Sequence, residues 1–132
     1  MIKKNASDLQ SNAAPAEYFT GKVTVTPLVK NEGLPANAAK VSFEPGARTN
    51  WHTHPVGQIL IVTEGNGYVQ KEGEQVQKLM PGDVVIILAD EKHWHGASKD
   101  TGLTHIAIQM LSESGEETVW LNPVSDEETG VH

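Results

Sequence analysis

The chain contains no cysteine. Disulfide bonds, zinc fingers, iron–sulfur centres and thiol nucleophiles are therefore excluded. Positive charge is also scarce, because 10 Lys and Arg residues stand against 17 Asp and Glu residues, which gives a net charge of −7 at pH 7. No cluster of Lys and Arg offers a nucleic-acid footprint, so we expect no nucleic-acid partner. An acidity of this size mainly keeps a small protein in solution.

Long apolar runs are lacking as well. The longest, Val84–Ala89, is far shorter than the roughly 20 residues that span a bilayer. The segment Asn5–Pro15, which follows Lys3 and Lys4, is polar and rich in alanine, unlike the apolar centre of a signal peptide. A length of 132 residues indicates one domain. We therefore expect a soluble, cytoplasmic, single-domain protein with no membrane partner.

No window carries the apolar spacing of a packed helix, so helices should be few or absent. Instead, 12 glycines and 7 prolines separate short apolar stretches. The predicted strands are Lys22–Thr26, Ala39–Phe43, Gln58–Thr63, Tyr68–Lys71, Gln75–Leu79, Val84–Leu88 and Leu103–Met110. Short strands separated by regular turn signals predict an all-β sandwich or barrel.

The two ends of the chain have weaker patterns. We expect a flexible N-terminal arm over residues 1–20, anchored by Tyr18 and Phe19, ahead of a barrel over residues 21–112. Residues 113–132 are predicted to form an edge strand, at Val119–Leu121, and a frayed acidic tail. Sheet edges need covering, and the arm could pair across subunits, so we expect a homodimer or homotetramer.

Histidine carries the strongest functional signal. Four of the six histidines form two His-x-His pairs, His52 with His54 and His93 with His95. Residues i and i+2 of a strand project from the same face, so each pair can point both imidazoles into one cavity. A lone buried histidine is more often a hydrogen-bonded core residue, but two such pairs favour a metal site, since neutral imidazole is the commonest transition-metal ligand.

A longer spacing pattern surrounds the first pair. Gly46 precedes His52 and His54, and Gln58 and Gly65 follow them. This arrangement resembles the first conserved motif of the cupin superfamily. The superfamily usually has Glu at the position of Gln58.

The second cupin motif is less complete here. Pro81–Asp83 and His93 fit it, whereas Leu88, Asp90 and Ala97 stand where the superfamily usually has Pro, Gly and Asn. Together the two motifs lie in a region of resemblance that covers roughly residues 21–112. Five blocks are also similar to small bacterial monocupins that include the manganese-dependent hydroxynitrile lyases: Tyr18–Gly21, Phe43–Thr49, Trp51–Pro55, Glu91–Ala97 and Thr104–Gln109.

The resemblance implies a single-domain jelly-roll (cupin) β-barrel and a metal site. The ligands that it implies are His52, His54, Gln58 and His93. Gln58 could instead only hydrogen-bond a histidine ring. Four neutral ligands would leave a divalent ion its full charge of +2 and make it a stronger Lewis acid. Nitrogen and oxygen ligands with open positions suit Mn(II), Fe(II), Co(II) or Ni(II) better than structural zinc, and we expect Mn(II), with Fe(II) second.

The last long predicted strand supplies a second set of candidates. Its alternation places His105, Ala107 and Gln109 on one face, where they would form the polar wall of an apolar pocket. The candidate apolar walls are Ala39, Val41, Phe43, Leu60 and Val62. A pocket of this composition usually binds a small molecule, which we expect as the partner. His105 could also be a core histidine that hydrogen-bonds a backbone carbonyl.

Three functions remain open from the sequence. The first is a metal-dependent lyase, with His105 as general base and with Gln109 and His95 holding the expelled anion. The resemblance implies that its reaction is the cleavage of a cyanohydrin into a carbonyl compound and cyanide. An iron-dependent dioxygenase is the second, although oxygen activation benefits from an anionic ligand and Gln58 is neutral. The third is a non-catalytic module that binds a metal or a small ligand.

Overall fold

A computed structural model describes residues 1–115 and 118–130. Within these residues the fold is all-β, as predicted. The strands are β1 (Asn12–Ala13), β2 (Phe19–Thr20), β3 (Val23–Lys30), β4 (Ala36–Phe43), β5 (Arg48–Thr49), β6 (His52–Thr53), β7 (Gly57–Gly65), β8 (Gly67–Lys71), β9 (Gln77–Leu79), β10 (Val84–Leu88), β11 (His93–Ala97), β12 (Leu103–Met110) and β13 (Val119–Trp120). The helical elements are a 3₁₀ turn over Ala6–Asp8 and α1 over Asp126–Thr129.

The strands form two antiparallel sheets. The larger sheet has the order β1-β3-β4-β12-β7-β10, and the smaller has the order β13-β6-β11-β5-β2, with β8 paired to β11 and β9 paired to β8. Side chains from both sheets meet in one core, for example Val41 and Val62 of the larger sheet with Val69 and Ala97 of the smaller. Burial of these apolar side chains between the sheets stabilises the barrel.

All seven predicted strands overlap observed ones, and Val84–Leu88 and Leu103–Met110 have the predicted bounds. The first predicted strand is longer than expected, because β3 continues through Pro27 with a register shift between Pro27 and Val29. None of the predicted strands covers β11, which is rich in histidine and glycine rather than in branched residues. Even so, every residue of β11 is buried.

Gly65, the last glycine of the first motif, allows two backbone segments to approach closely. Its φ is +76°, and a Cβ at this position would lie 1.8 Å from the carbonyl oxygen of Gly102. Only glycine tolerates both conditions without a shift of the backbone. The end of β7 can therefore pack against the turn that precedes β12, the strand that carries His105.

The N-terminal segment is built into the barrel of its own chain. Asn12–Ala13 pairs with β3, and Phe19–Thr20 pairs with Arg48–Thr49. Within one chain this segment completes an edge of the smaller sheet, and the pairing of Tyr18 and Phe19 across subunits stays a prediction.

The C-terminal segment is also anchored over residues 118–130. Val119–Trp120 pairs with β6 as an edge strand, as predicted. Beyond it the tail was expected to fray, but Ser125 and Glu128 form a capping box on α1, and Arg48 donates hydrogen bonds to the carbonyl of Val124 and to Asp126. Residues 116–117 and 131–132 of the predicted tail lie outside the described residues. None of the described helices is long and apolar enough to cross a membrane.

Candidate metal centre and cavity

The two histidine pairs converge because their strands are neighbours. In the smaller sheet His93 of β11 is the register partner of His52 of β6. The ring centroids of His52 and His93 are 4.2 Å apart, and the ring of His54 lies 4.9 Å from His52 and 5.2 Å from His93. The structure thus brings together all three histidines that the resemblance implies as ligands.

Hydrogen bonds fix the orientation of these three rings. The Nδ1 atoms of His52 and His93 donate to the backbone carbonyls of Asn50 and Glu91, each at 2.9 Å. Because a carbonyl can only accept, both rings carry their proton on Nδ1 and leave a lone pair on Nε2. Such partners on the distal nitrogen are typical of metal-binding histidines.

His54 is oriented by a side chain instead. Its Nδ1 lies 3.1 Å from the hydroxyl oxygen of Thr118, and that hydroxyl donates to Oε1 of Gln109 at 3.3 Å. Since the hydroxyl proton of Thr118 is directed to Gln109, the hydroxyl oxygen accepts the Nδ1 proton of His54. Thr118 therefore leaves the Nε2 lone pair of His54 free and turns the amide group of Gln109 so that its NH₂ can act as a donor.

Several buried polar atoms at this place have no partner within the described residues: His54 Nε2, Gln58 Oε1, His93 Nε2, His95 Nε2 and His105 Nδ1. A buried polar atom without a hydrogen bond is costly, so such a cluster marks a site for a ligand. The nitrogen lone pairs of His54 and His93 and the amide oxygen of Gln58 carry no competing proton, and such atoms suit a divalent transition metal. The residues present therefore fit a divalent metal.

His95 is close enough to enter the same site. One ring nitrogen from each of His52, His93 and His95 lies within 4.8 Å of the others, and this group could hold a metal ion. Gln58 lies beside His54, in the predicted set. His52 and His93 are thus common to two possible ligand sets, completed either by His54 and Gln58 or by His95.

Burial keeps the histidines of this site neutral. It lowers the pKa of His52 well below its usual value, and the nearby His93 and His54 lower that pKa further. Burial, with a smaller effect of His93, lowers the pKa of His54 to about 4. Burial also lowers the pKa of His93. Neutral imidazole is the form that binds metal, so these rings are ready for a ligand at neutral pH.

A second pair of imidazoles lies beside the first group. His105 Nε2 and His95 Nδ1 are 3.1 Å apart in a buried hydrogen bond. Burial lowers the pKa of His105 to about 4, and burial together with neighbouring histidines lowers the pKa of His95 well below its usual value. The ring of Phe43 packs against both histidines and excludes water from this side. His105 is therefore bonded to another side chain, and its own backbone has a smaller effect that raises its pKa.

An open cavity of about 620 Å³ adjoins these groups. Its polar wall includes His52, His54, Gln58, His95, His105 and Gln109. The remaining lining residues are mostly apolar or aromatic: Pro15, Tyr18, Phe19, Val25, Pro27, Val29, Lys30, Asn37, Ala38, Ala39, Val41, Thr49, Ala107, Thr118 and Trp120. An apolar cavity with a few convergent polar groups is the usual form of a small-molecule site.

Two of the five predicted apolar walls line this cavity, Ala39 and Val41. The prediction is wrong for the other three, because Phe43, Leu60 and Val62 are buried and do not line the cavity. The predicted face of β7 is right, because Leu60 and Val62 lie on the same face of the strand as Gln58. However, side chains fill the barrel at this depth, so these residues belong to the packed core beneath the cavity.

Sequence reasoning missed three residues of the site. Tyr18 and Trp120 stack with ring centroids 4.7 Å apart, and Trp120 also lies 4.7 Å from the ring of His52. Both aromatic residues, and Thr118, come from end segments that were expected to lie outside the barrel. The available signal was that aromatic residues are rare in this chain, so that three of them in polar end segments, Tyr18, Phe19 and Trp120, indicate a buried role.

A family model for the cupin domain matches residues 39–108, which is more than half of the chain. The chain is a cupin. This cupin is 48% identical over 127 residues to an (R)-mandelonitrile lyase of Granulicella tundricola, and the match covers 95% of each chain.

Solved structures agree with the family. This cupin matches a cupin-like protein from Thermotoga maritima with a TM-score of 0.85 and 44% identity, over 89% of each chain. It also matches a cupin-2 domain protein from Rhodospirillum rubrum with a TM-score of 0.75 and 17% identity, over 98% of this chain and 84% of the other. The second match supports the fold alone.

Proposed function

We propose that this cupin is a metal-dependent lyase that cleaves a cyanohydrin into a carbonyl compound and cyanide. The observation that carries the proposal is an apolar cavity with a buried wall of neutral, partly unpartnered imidazoles. The 48% identity to an (R)-mandelonitrile lyase, over 95% of each chain, supports the choice of reaction.

We infer that His52, His54, Gln58 and His93 hold the metal. Their orientation supports this set, because the hydrogen bonds to Nδ1 leave the Nε2 lone pairs of all three histidines free. Mn(II) is our choice of ion and Fe(II) the second, since open positions and neutral ligands suit both. When bound, the ion supplies Lewis acidity that lowers the pKa of a substrate hydroxyl.

His105 acts as the general base in this proposal. Its unpartnered Nδ1 accepts the hydroxyl proton, while its Nε2–H donates to Nδ1 of His95. Because the pKa of His105 is about 4, the ring is neutral and able to accept a proton at neutral pH. The bond between the carbinol carbon and the nitrile carbon then breaks, and its electron pair leaves with cyanide.

The departing cyanide needs donors and a proton. Gln109 presents its NH₂ group to the cavity because Thr118 donates to the amide oxygen. His95 Nε2–H is the second donor, in the tautomer whose Nδ1 accepts from His105. The proton taken up at His105 reaches cyanide through the His105–His95 hydrogen bond, so the products are a neutral carbonyl compound and hydrogen cyanide.

The shape of the cavity favours a substrate with an apolar or aromatic substituent. Tyr18 and Trp120 form a stacked aromatic wall at one side, and Ala39, Val41 and Ala107 leave space next to the polar groups. Aromatic rings pack well against such a wall. Mandelonitrile, which is the cyanohydrin of benzaldehyde, is therefore the first substrate to test.

The experiment is a cleavage assay on protein that has been stripped of metal and reloaded with Mn(II) or Fe(II). We expect benzaldehyde and cyanide to form from mandelonitrile faster than with free metal, and to stop after chelation. Mandelonitrile left untouched by the loaded protein would contradict the lyase. Oxygen uptake by the iron form with a catechol or diketone would point to a dioxygenase. Ligand-induced stabilisation without turnover would point to a binding module.

A further inference from the structure

The stacked aromatic side of the cavity is built from the two ends of the chain. Tyr18 comes from the N-terminal segment and Trp120 from the C-terminal segment, and their ring planes are 10° apart. We call these two rings the aromatic wall. The strands beside them are short, because β2 and β13 each pair through only two residues. Short pairings hold a segment weakly, so further contacts are needed to keep the two rings together.

Asn50, which lies between β5 and β6, contacts both end segments with its side chain. Its Nδ2 donates to the backbone carbonyl of Glu17 at 3.0 Å and to that of Leu121 at 3.2 Å. Both partners are carbonyl oxygens, which only accept, so the atom that meets them is the NH₂ nitrogen and both of its protons are used. One side chain therefore joins the residue before Tyr18 to the residue after Trp120.

The backbone of Asn50 connects the same place to the candidate metal centre. Its N–H donates to the carbonyl of Tyr18 at 2.8 Å, and its carbonyl accepts the Nδ1 proton of His52 at 2.9 Å. The ring of His52 in turn lies 4.7 Å from the ring of Trp120. Through backbone and side chain together, Asn50 thus fixes the aromatic wall relative to a proposed metal ligand.

Burial makes the bonds of Asn50 hard to replace. The residue is only 4% exposed, so water cannot readily take the place of a lost partner, and the arrangement in which both side-chain bonds form is favoured. Its side-chain partners are 33 and 71 residues away in the sequence. The two bonds therefore specify how distant segments meet, and do not stabilise a local turn.

We propose that Asn50 is a positioning residue for the substrate and acts through Tyr18 and Trp120. Its NH₂ group keeps the two rings stacked at a fixed distance from the metal centre, and this wall then holds the aromatic substituent of the substrate. The proposal rests on the proposed function, in which the wall contacts the ring of a cyanohydrin. Asn50 itself does not line the cavity, so it touches neither the substrate nor the reacting atoms.

The kinetic test uses Asn50→Ala in the metal-loaded protein, which removes the NH₂ group and keeps the backbone acceptor of His52. We expect the KM for mandelonitrile to rise about 10-fold and kcat to stay within about 2-fold, because the wall binds the ring equally in the ground state and in the transition state. The KM for acetone cyanohydrin, which has no aromatic ring, should change little.

The matched control is Asn122→Ala, the same substitution at an exposed side chain of the C-terminal segment. It should leave KM and kcat unchanged for both substrates. Equal changes in KM for mandelonitrile and acetone cyanohydrin in Asn50→Ala would overturn the proposal. A fall in kcat alone would also overturn it, because a fold defect lowers the amount of active protein without changing the binding of the ring.

A second measurement depends neither on the reaction nor on a variant that might fail to fold. In the unaltered protein, hydrogen exchange followed by NMR should show the side-chain NH₂ protons of Asn50 exchanging at least about 100-fold more slowly than those of Asn122. Equal exchange of the two side chains would overturn the proposal, even for a protein that cleaves mandelonitrile.

Hydrogen exchange in folded Asn50→Ala tests whether the two end segments are held together. The backbone N–H of position 50, which donates to Tyr18, and the backbone N–H of Leu121, which donates to Trp51, should both exchange about 10-fold faster than in the unaltered protein. Unchanged exchange at either position would contradict the proposal. If the unaltered protein cleaves no cyanohydrin, the proposed function fails, whereas the exchange rates still decide whether Asn50 holds the aromatic wall.

Discussion

His95 and His105 face each other across a buried hydrogen bond between two imidazole rings, with Nδ1 and Nε2 3.1 Å apart. One nitrogen must donate and the other accept, so the tautomer of one ring sets the tautomer of the other. When Nε2 of His105 donates, Nδ1 of His105 and Nε2 of His95 become an acceptor and a donor, respectively. A base and an acid are thereby placed side by side without a charged group.

The first prediction concerns the base. In the metal-loaded protein, His105→Ala should lower the rate of cyanohydrin cleavage by about 10²- to 10⁴-fold, because the acceptor of the hydroxyl proton is lost. The metal content, measured by elemental analysis, should stay that of the unaltered protein, since His105 is not among the proposed ligands. Cleavage at an unaltered rate would show that His105 is a core histidine only.

The second prediction concerns Thr118, which positions His54. Thr118→Val removes the acceptor of the His54 Nδ1 proton with little change in volume, so the affinity for Mn(II) should fall about 10- to 100-fold. Titration of the stripped protein with the metal measures this change. Thr118→Ser keeps the hydroxyl and is the control, and it should bind metal as the unaltered protein does. Equal affinity of all three proteins would contradict the role of Thr118.

The third prediction concerns pH. In the folded, metal-free protein the pKa of His54 and that of His105 are both about 4, whereas an unfolded histidine titrates near 6.5. As pH falls below about 6.5 the unfolded chain therefore binds protons that the folded chain does not. The free energy of unfolding should therefore be constant above pH 7. Between about pH 6.5 and pH 4 it should fall by up to about 1.4 kcal/mol per pH unit for each of these two histidines.

Urea unfolding of the chelator-treated protein measures this effect, at about pH 7.5 and pH 5. This window lies above the range in which most carboxylates titrate, so the histidines dominate the change. A free energy of unfolding that is equal or higher at pH 5 would show that the rings are not held neutral.

The fourth prediction compares two glycines with positive φ. Gly65→Ala should destabilise the fold by about 3 kcal/mol or more, because the new Cβ would meet the carbonyl oxygen of Gly102 in addition to adopting an unfavourable φ. Gly46→Ala is the control, since its φ is +80° but nothing lies within 4 Å of the added Cβ, and it should cost about 1 kcal/mol. Thermal and urea unfolding measure the loss of stability in each variant. Equal losses in the two variants would contradict the close approach of Gly65 and Gly102.

The larger sheet was predictable from the sequence because its long strands carry branched, alternating side chains. Val84–Leu88 and Leu103–Met110 are examples, and their bounds agree with the structure. The histidine pairs were predictable for a related reason, since alternation in a strand fixes which residues share a face. Alternation does not fix depth, however, and Leu60 and Val62 share the face of Gln58 but lie in the packed core.

The remaining parts of the site depend on contacts between distant segments. Tyr18 and Trp120 reach the cavity because β2 and β13 pair with β5 and β6, and no local pattern in either end segment specifies that pairing. Thr118 reaches His54 for the same reason. His54 lies two residues from His52, and His95 lies two residues from His93. Spacing alone therefore could not reveal whether His54 or His95 completes the metal site.

The central claim, that the buried histidines hold a divalent metal, is tested most directly by anomalous diffraction from crystals of the manganese-loaded protein. We expect one strong anomalous peak, in contact with Nε2 of His52, His54 and His93 and with Oε1 of Gln58. A peak held by His95 in place of His54 and Gln58 would overturn the proposed ligand set and the role of His95 as a donor. The absence of any peak among these side chains would contradict the metal site itself.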